Sequence, residues 1–329
     1  MKKIFYLLFI TGLVFGCTNN PKVDTNNSGT QNTPVFVRKS PDFQVDSAYF
    51  FIEKQLSFGH RIPNTPGHKR CAAWLVEKFK EFKAEVTVQA TTVTKYDGVP
   101  LAIQNIIASY NPQQAHRILI SAHWDSRPVA DADSSNRDKP IPGANDGASG
   151  VAVLLEIARQ LGAQNPAIGV DLICWDAEDL GVSHEENSYC LGSQYWSKTP
   201  HLPGYKAKYA INLDMVGAAG ATFTQEGFSK QYAQQYLDHV WQIAHHLGYG
   251  QYFLFNSDSE ILDDHFYLNT IANIPTIDII HRDLSTGGFF PHWHTQRDDI
   301  QSINKETLKA VGQTMLEVIF QETKTTPVQ

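Results

Sequence analysis

Short apolar runs that read as buried β-strands each end in a cluster of acidic or histidine residues, and stretches of helical periodicity lie between them. Residues 118–122 deliver His123-Trp124-Asp125-Ser126. Residues 170–175 deliver Asp176-Ala177-Glu178-Asp179, and residues 209–213 deliver Asp214 of Asn212-Leu213-Asp214. Asn145-Asp146-Gly147 precedes a helix expected to run to about Leu161, and Trp293-His294-Thr295 lies in the loop before the last helix. This alternation predicts an α/β fold: a single globular domain with a central mixed, mostly parallel twisted sheet and helices on both faces. In such sheets functional groups collect at the carboxyl ends of the strands, where the clusters at His123, Asp176–Asp179 and Asp214 fall.

Further elements complete the expected domain. Residues 43–58 and 67–83 have helical periodicity, and in the second Cys71, Trp74, Leu75, Phe79 and Phe82 share a face. Residues 85–94 and 101–110 read as strands, as do 274–280. Amphipathic helices are expected over 229–247 and 304–322. The polar loop 127–143 is long enough to fold over a site. At 42% hydrophobic and 19% charged, the 329 residues suffice for one sizeable core.

The N-terminus reads as an address. Lys2-Lys3 precede an apolar run from Ile4 to Phe15, too short to span a membrane, which ends at Gly16-Cys17. Residues 1–16 are expected to be a signal peptide, Cys17 a lipidation site, and residues 17–40, rich in Asn, Thr, Ser and Pro, a flexible tether. The catalytic domain then spans residues 41–329, exported, lipid-anchored and facing the periplasm. Loss of two lysines with the signal takes the formal charge from −7 to about −9, which disfavours nucleic acid and anionic membrane as partners. Membrane contact is expected only through Cys17, and the protein is expected to be a monomer. Cys71, Cys174 and Cys190 remain, an odd number in an oxidising compartment. They read as buried free thiols, with a Cys174–Cys190 bridge as the alternative.

Histidines and carboxylates in such company match the ligands that zinc takes, with one carboxylate left over as a base. Asp146, before small residues that let backbone approach a ligand, is a candidate ligand. In Glu178-Asp179, neighbouring side chains diverge, so one carboxylate can hold metal while the other faces substrate for proton transfer. His294 completes a three-ligand set. His123 reads either as a ligand oriented by Asp125 or as a hydrogen-bonded strand-end pair. Asp214 is either a ligand or a carboxylate beside the site. Asp263-Asp264-His265 is weaker alone and fits a helix N-terminus equally well.

These clusters, in this order, resemble the zinc-dependent family that contains bacterial aminopeptidases and the animal-type glutaminyl-peptide cyclotransferases. The resemblance covers residues 43–322 and extends to Phe58-Gly59-His60-Arg61-Ile62-Pro63, the Pro66-Gly67 turn, and His294-Thr295-Gln296-Arg297-Asp298-Asp299. It implies a zinc aminopeptidase-like (phosphorylase/hydrolase-like) sheet. In the peptidases two zincs would be held by His123 with Asp214 and by Asp179 with His294, Asp146 bridging and Glu178 activating water. In the cyclases one zinc would be held by Asp146, Asp179 and His294. Asp263-Asp264-His265 and Trp293 before His294 follow the cyclases, in a bacterial lipoprotein branch. Two positions depart from the animal pattern: Asp179 stands where those enzymes have Glu, and Asp278 where a histidine is expected.

The resemblance thus implies conversion of N-terminal glutaminyl residues of peptides or proteins to pyroglutamyl, with release of ammonia. Zinc would act as Lewis acid and Glu178 as general acid and base, while Asp214 and Asp263 position the amine. Trp293 and Trp196 would wall the glutaminyl stem. The alternative is a dizinc aminopeptidase.

Overall fold

The computed structural model describes residues 36–185 and 187–322. The expected signal segment, Cys17 and nearly all of the expected tether lie outside them. The apolar runs form the middle of a six-stranded sheet in the order β1 (Glu85–Thr94), β2 (Pro100–Tyr110), β4 (Gly169–Trp175), β3 (Arg117–His123), β5 (Ala210–Asp214) and β8 (Thr276–Ile280). β1 to β2 and β2 to β4 are antiparallel, and the other three pairings are parallel. β3 and β4 are buried at every position, as unbroken apolar runs in a covered parallel sheet should be. β1, rich in Thr, is the exposed edge.

Five helices cover one face: α1 (Val45–Leu56), α2 (Pro66–Glu81), α3 (Ala148–Ala163), α5 (Gly227–His246) and α7 (Lys305–Gln321). Their ends are specified locally. The Thr65 hydroxyl accepts from the His68 N–H ahead of α2, and the Asn304 side chain accepts from the Glu306 and Thr307 N–H groups of α7. α3 lies tight on the sheet at Gly150, where a Cβ would sit 2.6 Å from the Leu213 carbonyl oxygen and 2.7 Å from the Ala122 Cβ. This contact sets the helix carrying the Asp146 loop directly over the ends of β3 and β5.

The opposite face carries two shorter helices: α4 (Leu191–Lys198), which the sequence pattern does not mark, and α6 (Asp264–Thr270), which starts at the Asp263-Asp264-His265 helix N-terminus that the sequence suggests. Trp196 and Leu268 pack there against Ile107, Leu119, Ile173 and Trp175. A small parallel pair, β6 (Phe223–Gln225) with β7 (Phe253–Ser257), flanks the sheet. The last main strand begins at Thr276 rather than 274, after Pro275, which has no N–H to give. Cys71, Cys174 and Cys190 are all buried free thiols, so the Cys174–Cys190 bridge is not formed.

Candidate metal centre

Strand ends, two loops and a helix cap bring the predicted residues together. His123 ends β3, Asp214 ends β5, and Glu178 and Asp179 follow β4. Asp146 lies in the loop before α3, and His294 lies in the loop before α7. Asp146, Asp179 and His294 each present a ligand atom within 4.8 Å of the others, and so do His123, Asp146 and Asp214. His294 Nε2 is 3.2 Å from Asp179 Oδ1 and 3.8 Å from Asp146 Oδ2. His123 Nε2 is 3.1 Å from Asp146 Oδ1 and 3.3 Å from Asp214 Oδ1.

The backbone is bent to achieve this. Ala177, Cys190, Met215 and His294 are non-glycine residues in the left-handed region, with φ of 55°, 57°, 51° and 54°. Each is at, or one residue from, a group facing the site, apart from Cys190, which packs its thiol 3.5 Å from Glu178 Oε1. Such conformations cost on the order of 1 kcal/mol or more each and persist where surrounding structure imposes them. Gly147, at φ +93°, has no alternative, since a Cβ there would lie 2.6 Å from the Asp125 carbonyl oxygen and 3.0 Å from His123 Cε1.

The surrounding bonds explain the motif residues. Asp125 lies beside His123, with its Oδ1 3.5 Å from the ring Nδ1. Its two oxygens accept the backbone N–H groups of Glu178 and Asp179, at 3.0 and 3.1 Å. Asp298 does the same for Asn145 and Asp146, at 2.8 and 3.1 Å. Buried Arg61 donates to the carbonyls of Trp124, Pro142 and Gly143, tying β3 to the loop that delivers Asp146. Two contributors went unread in the sequence. Asp131 Oδ1 lies 3.1 Å from His294 Nδ1, and Arg127 donates to Asp179 Oδ1 at 2.9 Å and to Asp131. Both come from the loop 127–143. Its Arg127 and Asp131 brace Asp179 and His294. The only sequence signal is the length and polarity of the loop.

The charge balance calls for a cation. Asp146, Glu178, Asp179, Asp214 and Asp263 line one cavity of about 510 Å³, and among the described residues no Lys or Arg lines it. Burial pushes the Asp146 carboxyl up to about 6, helped by Asp179 and Asp214. Burial likewise raises Glu178 well above the usual range, and Asp179, Asp263 and Asp264 add to it. Burial would raise Asp179 too, but His294 and Arg127 hold it below the usual value. Asp179 Oδ2, Asp214 Oδ1 and both His123 ring nitrogens are buried without a hydrogen-bond partner among the described residues. With the His294 Nδ1–H turned to Asp131, the Nε2 lone pair is left for a metal. Imidazole and carboxylate oxygens are the donor set that zinc takes, so these residues fit that ion.

Trp293 lines the cavity and stacks on His294 at 3.6 Å between ring centroids, with Phe289 behind it. Met215, Ile261 and Ile280 complete the apolar wall. Trp196 does not reach the cavity. Its ring is buried in the core on the far face of the sheet, 5.4 Å from Trp175, with its N–H given to His201. Asp263 belongs both to the cavity and to a helix start: it lines the pocket and caps α6 through the Asp264 N–H.

Fold and site together define a metal-dependent α/β enzyme with a carboxylate base. The chain belongs to peptidase family M28, whose model matches residues 105–319. It is 48% identical to the solved glutaminyl cyclase of Bacteroides thetaiotaomicron bound to N-acetylhistamine, with a TM-score of 0.85, over 86% of this chain and 100% of that one. A Zn-dependent exopeptidase from Parabacteroides distasonis is also 48% identical, with a TM-score of 0.84 and the same coverage. Among curated proteins, the glutaminyl-peptide cyclotransferase of Gloydius blomhoffii is 27% identical over 72% of this chain and 67% of that protein. The chain spans less than half the length of two other curated relatives, 43% of Escherichia coli YfbL and 45% of Bacillus subtilis aminopeptidase YwaD.

Proposed function

We propose that this chain is a zinc-dependent glutaminyl-peptide cyclotransferase acting on peptides or proteins with N-terminal Gln. The observation that carries the reading is the 48% identity to the Bacteroides cyclase along that enzyme's whole length, and the cavity supplies matching chemistry. Asp146, Asp179 and His294 would hold the zinc. When bound, zinc supplies Lewis acidity toward the glutaminyl γ-carbonyl oxygen. The substrate's own α-amine attacks the carbonyl carbon of the side-chain amide, Cδ, forming the five-membered ring amide as the bond from Cδ to the side-chain nitrogen breaks and ammonia leaves. Glu178 takes a proton from the α-nitrogen and returns one to the departing ammonia. Its raised proton affinity suits a group that must both accept and give. Asp214 and Asp263, on the same cavity wall, accept from the amine and fix its approach, and Trp293 packs along the aliphatic stem. Ammonia release from a peptide beginning with Gln tests this reading, and none from zinc-loaded protein overturns it.

A dizinc aminopeptidase is the second reading, favoured by the His123, Asp146 and Asp214 ligand atoms lying within 4.8 Å of one another. One zinc per chain supports the cyclase and two support the peptidase. We also propose export and lipid anchoring at Cys17, facing the periplasm, on the basis of the N-terminal sequence alone.

A further inference from the structure

Behind Asp263, away from the substrate, a file of buried polar side chains runs into the fold. The Asn212 amide donates to Asp263 Oδ2 at 2.8 Å and to Asp278 Oδ1 at 3.3 Å. Its orientation is fixed by the Ser121 hydroxyl, which donates to Asn212 Oδ1 at 2.9 Å. Beyond Asp278, its Oδ2 faces His265 Nδ1 at 3.8 Å, and His265 Nε2 is 3.1 Å from Glu226 Oε2. Glu226 also accepts from the N–H groups of Phe228, Ser229 and Ile261 and from the Ser229 hydroxyl. Asn212, Asp263, Asp278, His265 and Glu226 are each less than 5% exposed.

The protons in this file can be assigned. Four donors besides His265 make Glu226 an ionised acceptor, so His265 donates to it through Nε2–H. Nδ1 and the facing Asp278 Oδ2 are both buried without a partner among the described residues, an arrangement that costs free energy unless a proton lies between them. Two carboxylates sharing one amide cannot both be charged in so dry a place. The groups that face Asp278 are Asp263, Asp214, Glu226 and His265, with Asn212 and Ser229 as its neutral partners. Burial and the carboxylates of Asp263, Asp214 and Glu226 all favour its protonated form.

We propose that Asp278 is a positioning residue that works as a neutral acid: its carboxyl O–H donates to His265 Nδ1 after a small side-chain rotation, and its other oxygen shares the Asn212 amide with Asp263. The file Glu226–His265–Asp278–Asn212 thereby holds Asp263 aimed into the substrate cavity. Asp278 also lies on β8 directly beside Asn212 of β5 in the parallel register, so the two contacts are built into the sheet.

The inference rests on the cyclase reading and is tested within it. Asp278→Asn copies the neutral acid, accepting from Asn212 and donating to His265. Asp278→Ala cuts the file, and His265→Leu cuts it one step further on without touching Asp278. Each is compared with the unchanged chain for zinc content, kcat and KM on a peptide beginning with Gln. The expected result is near-normal kcat for Asp278→Asn, with kcat lower by roughly 10- to 100-fold for Asp278→Ala and His265→Leu at full zinc content, as for a misplaced reacting group. Equal losses in Asp278→Asn and Asp278→Ala would overturn the neutral acid. Normal kcat in folded Asp278→Ala or His265→Leu would overturn the positioning role. Lack of turnover by the unchanged chain would instead indict the cyclase reading. If Asp278→Ala does not fold, Asp278→Asn against His265→Leu decides alone.

Discussion

Asp131 and His294 are 163 residues apart in sequence and 3.1 Å apart in the fold, carboxylate oxygen to ring nitrogen. The contact fixes which imidazole nitrogen is free, because the Nδ1–H is engaged and only Nε2 faces Asp179. Burial would lower the proton affinity of His294, but Asp179 and Asp131 raise it to about 9, so without metal this ring is held as a cation. Asp131→Ala removes the orienting acceptor and is expected to weaken zinc binding by roughly 10- to 100-fold. Competition against a chelator of known affinity reads this directly, and unchanged zinc affinity would contradict the role.

Asp146 carries more. It faces both histidines and both other carboxylates, and its backbone N–H is held by Asp298. Asp146→Ala is expected to lose zinc and activity together. Stoichiometric zinc in the purified variant would remove Asp146 from the ligand set.

Glu178 is separable from the metal by the same logic. Its side chain keeps 14% of its exposure, facing the cavity, while its backbone N–H is tied to Asp125. Glu178→Gln is expected to keep zinc and to lower kcat by on the order of 10²–10⁴. Equal turnover would sink its assignment as the proton carrier.

Glu226 makes a pH prediction about stability. Burial would raise its carboxyl, but His265 and the N–H groups of Ser229 and Phe228 hold it at about 2, against an ordinary value of 4.5. A depressed carboxylate contributes stability that is fully present above about 4.5 and lost as pH falls toward about 2. The shift corresponds to roughly 3 kcal/mol as an order of magnitude. Chemical denaturation from pH 6 to pH 3 is expected to show falling stability, and Glu226→Gln should flatten that fall while lowering stability at pH 6. A slope unchanged by the substitution would contradict it.

The sequence was most legible where one physical rule acts alone. Unbroken apolar runs predict β3, β4 and β5 because both faces of those strands are covered, and the acidic clusters follow because a parallel sheet opens its sites at strand ends. Five of the clusters' side chains, at His123, Asp146, Asp179, Asp214 and His294, do meet. Contacts made by chain folding were not legible. Asp131 sits among other polar residues of a loop, and nothing local marks it as the partner of His294. Trp196 shows the converse error: an aromatic residue on a short helix reads equally as pocket wall or core, and only the packing of α4 against Trp175 decides. The helix α4 itself, Leu-Gly-Ser-Gln-Tyr-Trp-Ser-Lys, has too few apolar residues to show a period. Asp125 sits beside His123 and also holds the backbone of the next strand's loop, a second role that side-chain chemistry does not announce.

The central claim is that one cavity joins a single zinc to a proton-carrying Glu178 and cyclises N-terminal glutamine. Mass spectrometry of a peptide beginning with Gln after incubation with the purified protein, with metal counted on the same sample, tests it most directly. The account predicts a mass loss equal to one ammonia and one zinc per chain. Removal of the whole first residue, with two metals per chain, would contradict it and make His123 and Asp214 ligands of a second ion.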